Sequence, residues 1–197
     1  MSSSQNPNTH RVHIYGHASA QPKALAEIFE AIHSTEAIAE SDLAIFAINP
    51  AAGIDQETIA LWQALSDYQL PRLVVVNELD GSDSDFDDAV LLANRVFDFL
   101  VTPYLVLHSD SGEPTALIDL ESLQIIDYTT KPISRRDSDP EHKDLVAEFR
   151  SEYLEAIEDA GEDAFEAGLL FPAIPVVISK GIGIDIVKSL IEKVQAN

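Results

Sequence analysis

Residues 11–25 read RVHIYGHASAQPKAL, and this stretch decides the fold class. Residues 12–15 are β-branched, aromatic or imidazole side chains in a short run that is typical of a buried strand. A turn begins at Gly16, and the apolar residues that follow Pro22 have helical spacing, which predicts a helix over 23–34. A strand, a glycine turn and a helix in this order are typical of loops whose backbone amides bind phosphate. The stretch therefore predicts the first strand and helix of an α/β fold.

Three further apolar runs predict buried strands of the same sheet. They are LAIFAI (43–48), LVVV (73–76) and PVVIS (175–179). Each run is followed by a segment in which apolar residues recur at helical spacing. Strands that alternate with helices form parallel sheets with right-handed crossovers. We therefore expect a parallel sheet flanked by helices, in which the strand at 12–15 lies beside the strand at 43–48.

One block of the chain interrupts this alternation. Within 105–128, the runs LVLHSD, PTALIDL and LQIIDY predict three short antiparallel strands joined by tight turns. A charged link that contains proline follows, and then an amphipathic helix over 143–160. The sequence thus predicts a small α+β insert in a single core. The predicted parts are a disordered polar tail (1–10), a core (11–104 and 171–197) and an inserted subdomain (105–170).

The composition restricts the classes of partner. The chain has 34 acidic and 12 basic residues and a formal net charge of -22. Direct binding to nucleic acid or to an anionic membrane is not expected, because both need clustered lysine and arginine. The sequence has no apolar run of the ~20 residues that cross a bilayer, and its first residues do not show the charged-then-apolar pattern of a signal peptide. The absence of cysteine excludes disulfides and thiolate metal sites, and we expect a cytoplasmic protein.

A family resemblance covers nearly the whole chain after the tail. The segment SDLAIFAINPAAGIDQETIALWQALSDYQLPRLVVVNELDG (41–81) resembles the G domain of translational GTPases, specifically elongation factor G and its ribosomal-protection relatives. ALIDLESLQIIDY (116–128) is similar to the extra subdomain of that G domain, and PVVISKGIGIDIVKSLIEKV (175–194) to its closing strand, purine-site turn and helix. The residues that match in the first segment are Gly53, Gln56, Thr58, Trp62, Tyr68, Pro71, Arg72, Asn77 and Asp80. The resemblance implies a P-loop-NTPase-like sheet.

The same resemblance implies where a guanine nucleotide would bind. The loop at 16–25 corresponds to the family's phosphate loop, and the residues 77–80 correspond to its Asn-Lys-x-Asp base motif. The turn at 179–180 corresponds to the one that faces the purine. We treat these positions as a vestigial nucleotide site, formed by Gly16, Lys23, Asn77, Asp80, Ser179 and Lys180.

The phosphate loop departs from the family pattern at the positions that carry its chemistry. GHASAQPKAL (16–25) stands where the family has GHVDAGKTTL. Gln21 replaces the second glycine, Pro22 the lysine that binds the β- and γ-phosphates, and Lys23 the hydroxyl that binds Mg²⁺. Because proline has no N–H, Pro22 removes a phosphate-binding amide as well as the cation. The sequence therefore predicts a loop without phosphate chemistry.

The switch regions and the base motif are altered as well. No aspartate in the chain has glycine three residues later, so the Asp-x-x-Gly turn that senses the γ-phosphate is missing. The interval between the helix at 23–34 and the strand at Leu43 is too short for both switches and their two strands. Glu78 replaces the lysine that lies over the base. We therefore predict a pseudo-GTPase that lacks the switch-region strands, has no catalytic residue and uses no cofactor.

Two alternatives to this interpretation stay open. The chain is then either a weak GTP- or GDP-binding protein with Mg²⁺, even a slow GTPase in which Lys23 contacts phosphate, or a decayed fragment without a partner. Metal sites are weaker hypotheses. His13 and His17 fall on the same side of a strand, near His10, but no carboxylate is close in the sequence. The spaced aspartates of 80–88 resemble a Ca²⁺ loop, but the sixth position is not the glycine that such a loop requires. We therefore expect a turn and a helix N-cap there.

The expected partner is a protein. By resemblance, the extra subdomain is the part of the family's G domain that meets the flexible ribosomal stalk protein, so a translation-related partner is implied. The outward face of the helix at 143–160 is rich in acid. The candidate partner-binding residues on it are Glu148, Glu152, Glu155, Glu158 and Asp159. Such a face attracts basic partners, and its simpler alternative is a solvated helix surface without a partner.

Overall fold

The computed structural model describes residues 11–79 and 85–196. Six strands form the larger sheet, with the bounds β1 (Val12–Tyr15), β2 (Ile32–His33), β3 (Leu43–Ile48), β4 (Arg72–Val76), β5 (Leu100–Val101) and β10 (Phe171–Pro175). Their order is β2-β1-β3-β4-β10-β5, and every pair of neighbours is parallel. The predicted parallel α/β sheet is confirmed, and so is the position of β1 beside β3.

The helices follow the strands as the alternation requires. Their bounds are α1 (Pro22–Ile28), α2 (Gln56–Ser66), α3 (Phe86–Ala93), α4 (Pro140–Leu145), α5 (Ala147–Ala160) and α6 (Ile184–Gln195). α1, α2 and α3 each come directly after a strand of the parallel sheet, and α6 follows β10. Within the described ranges, no helix is long and apolar enough to span a bilayer.

A second sheet holds four antiparallel strands. They are β6 (Tyr104–His108), β7 (Pro114–Asp119), β8 (Gln124–Asp127) and β9 (Ser134–Asp137), in that spatial order. The sequence predicts the first three but not β9. The fourth strand lies in the charged link and reads SRRD, so it has no apolar alternation to reveal it. β9 forms because its backbone pairs with β8, with Arg136 opposite Ile125.

The core is built on the buried strands of the parallel sheet. Every residue of β1, β3, β4 and β10 is buried. On one face, Trp62 of α2 stacks on Phe97 with ring centroids 4.4 Å apart, and Phe46 of β3 meets Trp62 edge-on at 4.9 Å. Aromatic side chains of this size dominate the apolar burial of a small core. The helices therefore pack against a sheet that is covered on both faces.

The last parallel strand is not where the sequence predicts it. The apolar run at 175–179 predicts a strand, but the structure places β10 at Phe171–Pro175, and residues Ile178–Lys180 form a 3-10 turn. Pro172 and Pro175 obscure the strand in the sequence, because proline donates no ladder hydrogen bond and is rare inside a sheet. The residues after β10 stay buried while the chain turns, with Val177 bridged to Ile182. Burial therefore extends past the strand.

Two predicted helices are also corrected. The helix predicted over 23–34 ends at Ile28, because Glu30 takes a left-handed conformation with φ of 54° and the chain then pairs with β1 as β2. The helix predicted over 143–160 is two helices. Val146 lies between α4 and α5 with φ of -99° and ψ of 3°, and it is buried while its helical neighbours are not.

Candidate functional site

The loop after β1 joins the strand to α1 through a glycine and a 3-10 turn. Gly16 has φ of 145°, and a Cβ at this position would collide with the carbonyl oxygen of Ala47 on β3. His17 then caps a 3-10 turn, its Nδ1 accepting a hydrogen bond from the Ser19 amide at 3.2 Å. Gln21 is left-handed, with φ of 53°, and Pro22 is the first residue of α1. Glycine is therefore required where β1 ends, and proline stands at the start of the helix.

Two asparagines hold this loop from neighbouring strands. Asn49 follows β3, and its Nδ2 donates to the carbonyl oxygen of Ser19 at 2.9 Å. Asn77 follows β4, and its Nδ2 donates to the carbonyl oxygen of Ala20 at 3.1 Å. Asn77 is 1% exposed, so this hydrogen bond is shielded from water. The carboxyl ends of parallel strands meet at one edge of a sheet, which is why both side chains reach the same loop.

Glu78 places a carboxylate against the loop. Its Oε1 accepts a hydrogen bond from Nε2 of Gln21, and it lies 3.4 Å from Nδ2 of Asn77. Glu78 has φ of 63°, an uncommon conformation for a residue with a side chain. The loop is thus joined to the end of β4 by a negatively charged group. A carboxylate here disfavours phosphate in the same place, because like charges repel.

A cavity of about 370 Å³ lies beside the loop. Pro22 and the exposed Lys23 line it from the loop side, and His33, Asp55 and Glu57 line it from the chain segments opposite. The lining therefore mixes basic and acidic groups. This cavity is large enough for a small polar ligand.

The other predicted site residues follow β10 or lie outside the described residues. Ser179 and Lys180 lie in the 3-10 turn after β10. Lys180 Nζ donates to Glu113 Oε2 at 3.1 Å and to the Pro114 carbonyl at 3.2 Å, so it links the two sheets. Asp80, and most of the acidic stretch 80–88, lies outside the described residues.

Of the three histidines near the N-terminus, His10 lies outside the described residues, and His13 and His17 have separate partners. His13 is buried, and its Nδ1 lies 2.7 Å from Ser41 Oγ. His17 is exposed and engaged with Ser19. In the part of the chain that the structure describes, no group of three or more His, Asp or Glu side chains is placed to hold a metal ion.

The acidic residues predicted to bind a partner share one helix. Glu148, Glu152, Glu155, Glu158 and Asp159 are all exposed on α5. No residue of α5 is buried, and the apolar side chain of Phe149 is 41% exposed. Apolar surface therefore remains uncovered next to the acidic side chains.

The sequence did not indicate the loop contacts of Gln21, Asn49 and Glu78. For Asn49 a signal was present, because it directly follows the buried run 43–48, at the sheet edge where the loop was expected. For Gln21 and Glu78 no local pattern predicts a contact, since they are 57 residues apart and meet through the fold.

Known proteins are similar to this chain in sequence and in fold. No family model matches it. It is 28% identical to an elongation factor G-like protein of Mycobacterium tuberculosis, in strain CDC 1551 / Oshkosh and in strain H37Rv. That alignment of 167 residues covers 73% of this chain, which spans 23% of the relative's length. The predicted resemblance to an elongation factor G-like G domain is thereby confirmed.

A solved structure shares the fold. A crystal structure of a protein from Thermus thermophilus matches with a TM-score of 0.68 and 24% sequence identity. The match covers 80% of this chain and 27% of the Thermus chain. The predicted fold class, a parallel sheet flanked by helices with a small additional sheet, is confirmed.

Proposed function

We propose that this elongation factor G-like chain is a pseudo-GTPase domain, which has lost phosphate-loop and switch chemistry and acts in the cytoplasm as a protein-binding or regulatory module. The observation that carries the proposal is Pro22 at the first position of α1. A phosphate loop binds its ligand with amides at the start of the helix and with a lysine. Pro22 supplies neither group, and it is buried.

The charge around the loop supports the same proposal. Glu78 accepts the hydrogen bond of Gln21, and Asp55 and Glu57 line the neighbouring cavity. These carboxylates oppose the approach of a polyanion. Hydrolysis is not expected, because the sequence has no Asp-x-x-Gly turn to sense a γ-phosphate.

A thermal-shift titration tests the proposal. GDP or GTP, each with Mg²⁺, is expected to leave the melting temperature of the chain unchanged up to millimolar concentration. A nucleotide at ~100 times its Kd would add about 2.7 kcal/mol to the free energy of unfolding, which the assay detects readily. A Mg²⁺-dependent rise in melting temperature with GDP contradicts the pseudo-GTPase proposal.

The second candidate is a weak GTP- or GDP-binding protein. It is favoured by Lys23, whose exposed side chain lines the cavity beside the loop and is placed one residue after the family's lysine. Under this candidate Lys23→Ala abolishes a nucleotide-induced shift that the unmodified chain shows. Under the pseudo-GTPase proposal neither chain shows a shift, so one experiment separates the two.

The proposed partner is a protein, and the family resemblance nominates the ribosomal stalk protein. The support is the exposed acidic face of α5, which suits a basic partner and repels nucleic acid and anionic membranes. Reversing three charges, in Glu148→Lys, Glu152→Lys and Glu155→Lys, is expected to weaken capture of purified stalk protein and to lower its salt dependence.

The matched controls lie in the loop. Gln21→Ala and Lys23→Ala are expected to leave capture unchanged, because neither residue is on α5. If these loop variants abolish capture while the α5 reversals have no effect, the partner binds through the old nucleotide site and the assignment to α5 is wrong.

A further inference from the structure

Two helices present similarly spaced residues to one cavity of about 920 Å³. From α5 and the residue after it, the lining positions are Tyr153, Leu154, Ile157, Glu158 and Gly161. From α6 they are Asp185, Ile186, Ser189, Leu190 and Lys193. Both sets follow the spacing i, i+1, i+4, i+5 and i+8, which keeps side chains on one face of a helix. We call this cavity the α5–α6 groove.

The floor of the α5–α6 groove is apolar. Val101 of β5 and Pro172 of β10 line it from the parallel sheet. Phe165 and Leu170 line it from the link between α5 and β10, and Tyr104 lines it from the antiparallel sheet. Val101, Phe165 and Pro172 are already buried. The apolar surface that a partner would remove from water belongs to half-buried lining residues, namely Leu154, Ile157, Leu170 and Leu190.

Hydrogen bonds hold the walls of the groove in place. Arg150 on α5 donates from Nη2 to the carbonyl oxygen of Glu121 at 3.2 Å, which ties α5 to the turn after β7. The Tyr128 hydroxyl, just after β8, donates to Asp185 Oδ1 at 2.6 Å, which ties the antiparallel sheet to α6. The groove is thus preformed, and binding does not have to assemble its walls.

The charge at the groove is negative. The two cations that line it are already engaged, Arg135 with Asp185 at 3.8 Å and Lys193 with Glu166 at 2.9 Å. Three exposed carboxylates also line or border it, namely Glu121, Glu158 and Glu162. Among the described residues none of these three forms a salt bridge. An incoming cationic side chain would therefore be favoured and an anionic one repelled.

We infer that the α5–α6 groove binds an amphipathic helix of a partner protein, with apolar side chains on the groove floor and lysine or arginine beside Glu121, Glu158 and Glu162. The α6 positions from Asp185 to Lys193 extend over about 12 Å, the length of roughly two helical turns. Helices bound in grooves use apolar side chains at i, i+3, i+4 and i+7 as anchors, and these also extend over about two helical turns. The inference rests on the proposed protein-binding function and gives it a second site, which shares only Glu158 with the acidic residues of α5 named above.

The two tyrosines in the groove suit a polypeptide ligand. Burial, together with the nearby carboxylate of Asp119, raises the pKa of Tyr104 to about 12. Burial, with Glu121 close by, raises the pKa of Tyr153 to about 12 as well. Both phenols are therefore neutral at physiological pH and able to donate hydrogen bonds to the carbonyl groups that a helix leaves unpaired in its last turn.

A synthetic peptide tests the inference directly. The probe is a fluorescein-labelled helix of about 14 residues, with leucine at i, i+3, i+4 and i+7 and lysine elsewhere. It is titrated with the full chain at about 150 mM NaCl, so that unspecific attraction to the acidic surface is screened. Fluorescence anisotropy is expected to show saturable binding. A peptide of the same composition in scrambled order is expected to bind at least about tenfold more weakly.

Matched variants locate the binding. Glu158→Gln in the groove is expected to weaken binding about threefold, and Leu154→Ala about tenfold. Their controls are Glu141→Gln and Leu145→Ala, both exposed on α4 and outside the groove lining, with Leu145 70% exposed. Both controls are expected to bind like the unmodified chain.

Several results overturn the inference. They are an absence of saturable binding, equal binding of the scrambled peptide, and equal losses in the groove variants and their controls. Each of these leaves the pseudo-GTPase proposal standing, because that proposal is tested by nucleotide in the thermal-shift assay. A Mg²⁺-dependent shift with GDP contradicts the proposed function whatever the peptide does, so the two failures are distinguishable.

Discussion

Gln21 and Glu78, which are 57 residues apart in the sequence, are joined by a hydrogen bond from Nε2 of the first to Oε1 of the second. The contact connects the turn before α1 to the residue that follows Asn77 at the end of β4. In the family the two positions carry a glycine and a lysine that serve the nucleotide. Here the two side chains bind each other.

A double-mutant cycle measures this contact. Gln21→Ala, Glu78→Ala and the double variant are expected to give a coupling energy of about 0.5 to 1 kcal/mol in the free energy of unfolding, because the hydrogen bond is partly exposed. Urea denaturation provides the measurement. Strict additivity of the two substitutions contradicts the contact.

Gly16 is expected to tolerate no side chain. Its φ of 145° and the closeness of the Ala47 carbonyl mean that Gly16→Ala strains the backbone and pushes β1 from β3. The expected loss of stability exceeds about 2 kcal/mol. Gly112→Ala is the control, because Gly112 also has a positive φ, 82°, but open space around it. That variant is expected to lose about 1 kcal/mol. Equal losses in thermal unfolding argue against close packing at Gly16.

Asp98 is expected to matter more than its exposure suggests. Its Oδ2 accepts from Trp62 Nε1 at 2.9 Å and from Arg72 Nη2 at 3.2 Å. Arg72 is 2% exposed, and its guanidinium lies 4.3 Å from the ring centroids of both Trp62 and Phe171. Asp98→Ala leaves two donors unpaired, one of them a buried charge, and is expected to cost about 2 kcal/mol.

Glu113→Ala is the comparison for Asp98→Ala. Glu113 pairs with Lys180 at 3.1 Å, but its side chain is 67% exposed, so solvent screens the pair. We expect this variant to lose less than about 1 kcal/mol. Chemical denaturation measures the free energy of unfolding of both variants. If Glu113→Ala loses more stability than Asp98→Ala, the hydrogen bonds of Asp98 to Trp62 and Arg72 do not make the expected contribution.

His13 is expected to make the fold sensitive to mild acid. Burial lowers the pKa of His13 from its usual value of 6.5, and Arg11 lowers it further, while Asp42 opposes the shift. Below pH 6.5, His13 is therefore protonated more readily in the unfolded chain than in the folded chain. Stability must then fall as the pH drops from 6.5 towards the folded pKa, at no more than about 1.4 kcal/mol per pH unit.

The pH profile of a variant isolates this effect. His13→Asn keeps a donor for Ser41 Oγ but does not titrate. The difference in free energy of unfolding between the two chains is expected to be constant above pH 7 and to shrink as the pH falls below 6.5. A difference that does not depend on pH between 7 and 5 contradicts the prediction.

The local sequence determined the elements whose own pattern of apolar residues predicts that they are buried. β1, β3 and β4 are runs of apolar side chains, and α2 has apolar positions at helical spacing, so burial and periodicity predict them directly. The loop sequence at 16–25 also determined that position 22 has neither an amide N–H nor a lysine ammonium, because proline supplies neither group.

The tertiary structure decided the short strands that form only because their backbone pairs with a neighbouring strand. β2 and β9 have too few apolar residues to be recognised, and they form because β1 and β8 offer them unpaired backbone groups. β10 was displaced in the prediction because its prolines hide a strand, and only its neighbours β4 and β5 fix its register.

The same division holds for the candidate sites. Through the resemblance to elongation factor G, the sequence assigned Gly16 and Asn77 to one vestigial nucleotide site, but the hydrogen bond from Gln21 to Glu78 and the α5–α6 groove required coordinates. Periodicity indicates which face of a helix is apolar, and the residue type at a position, such as proline at 22, indicates which chemical groups it can supply. Neither reports which faces meet across the fold, because contacts between distant residues depend on how the sheets and helices are arranged in space.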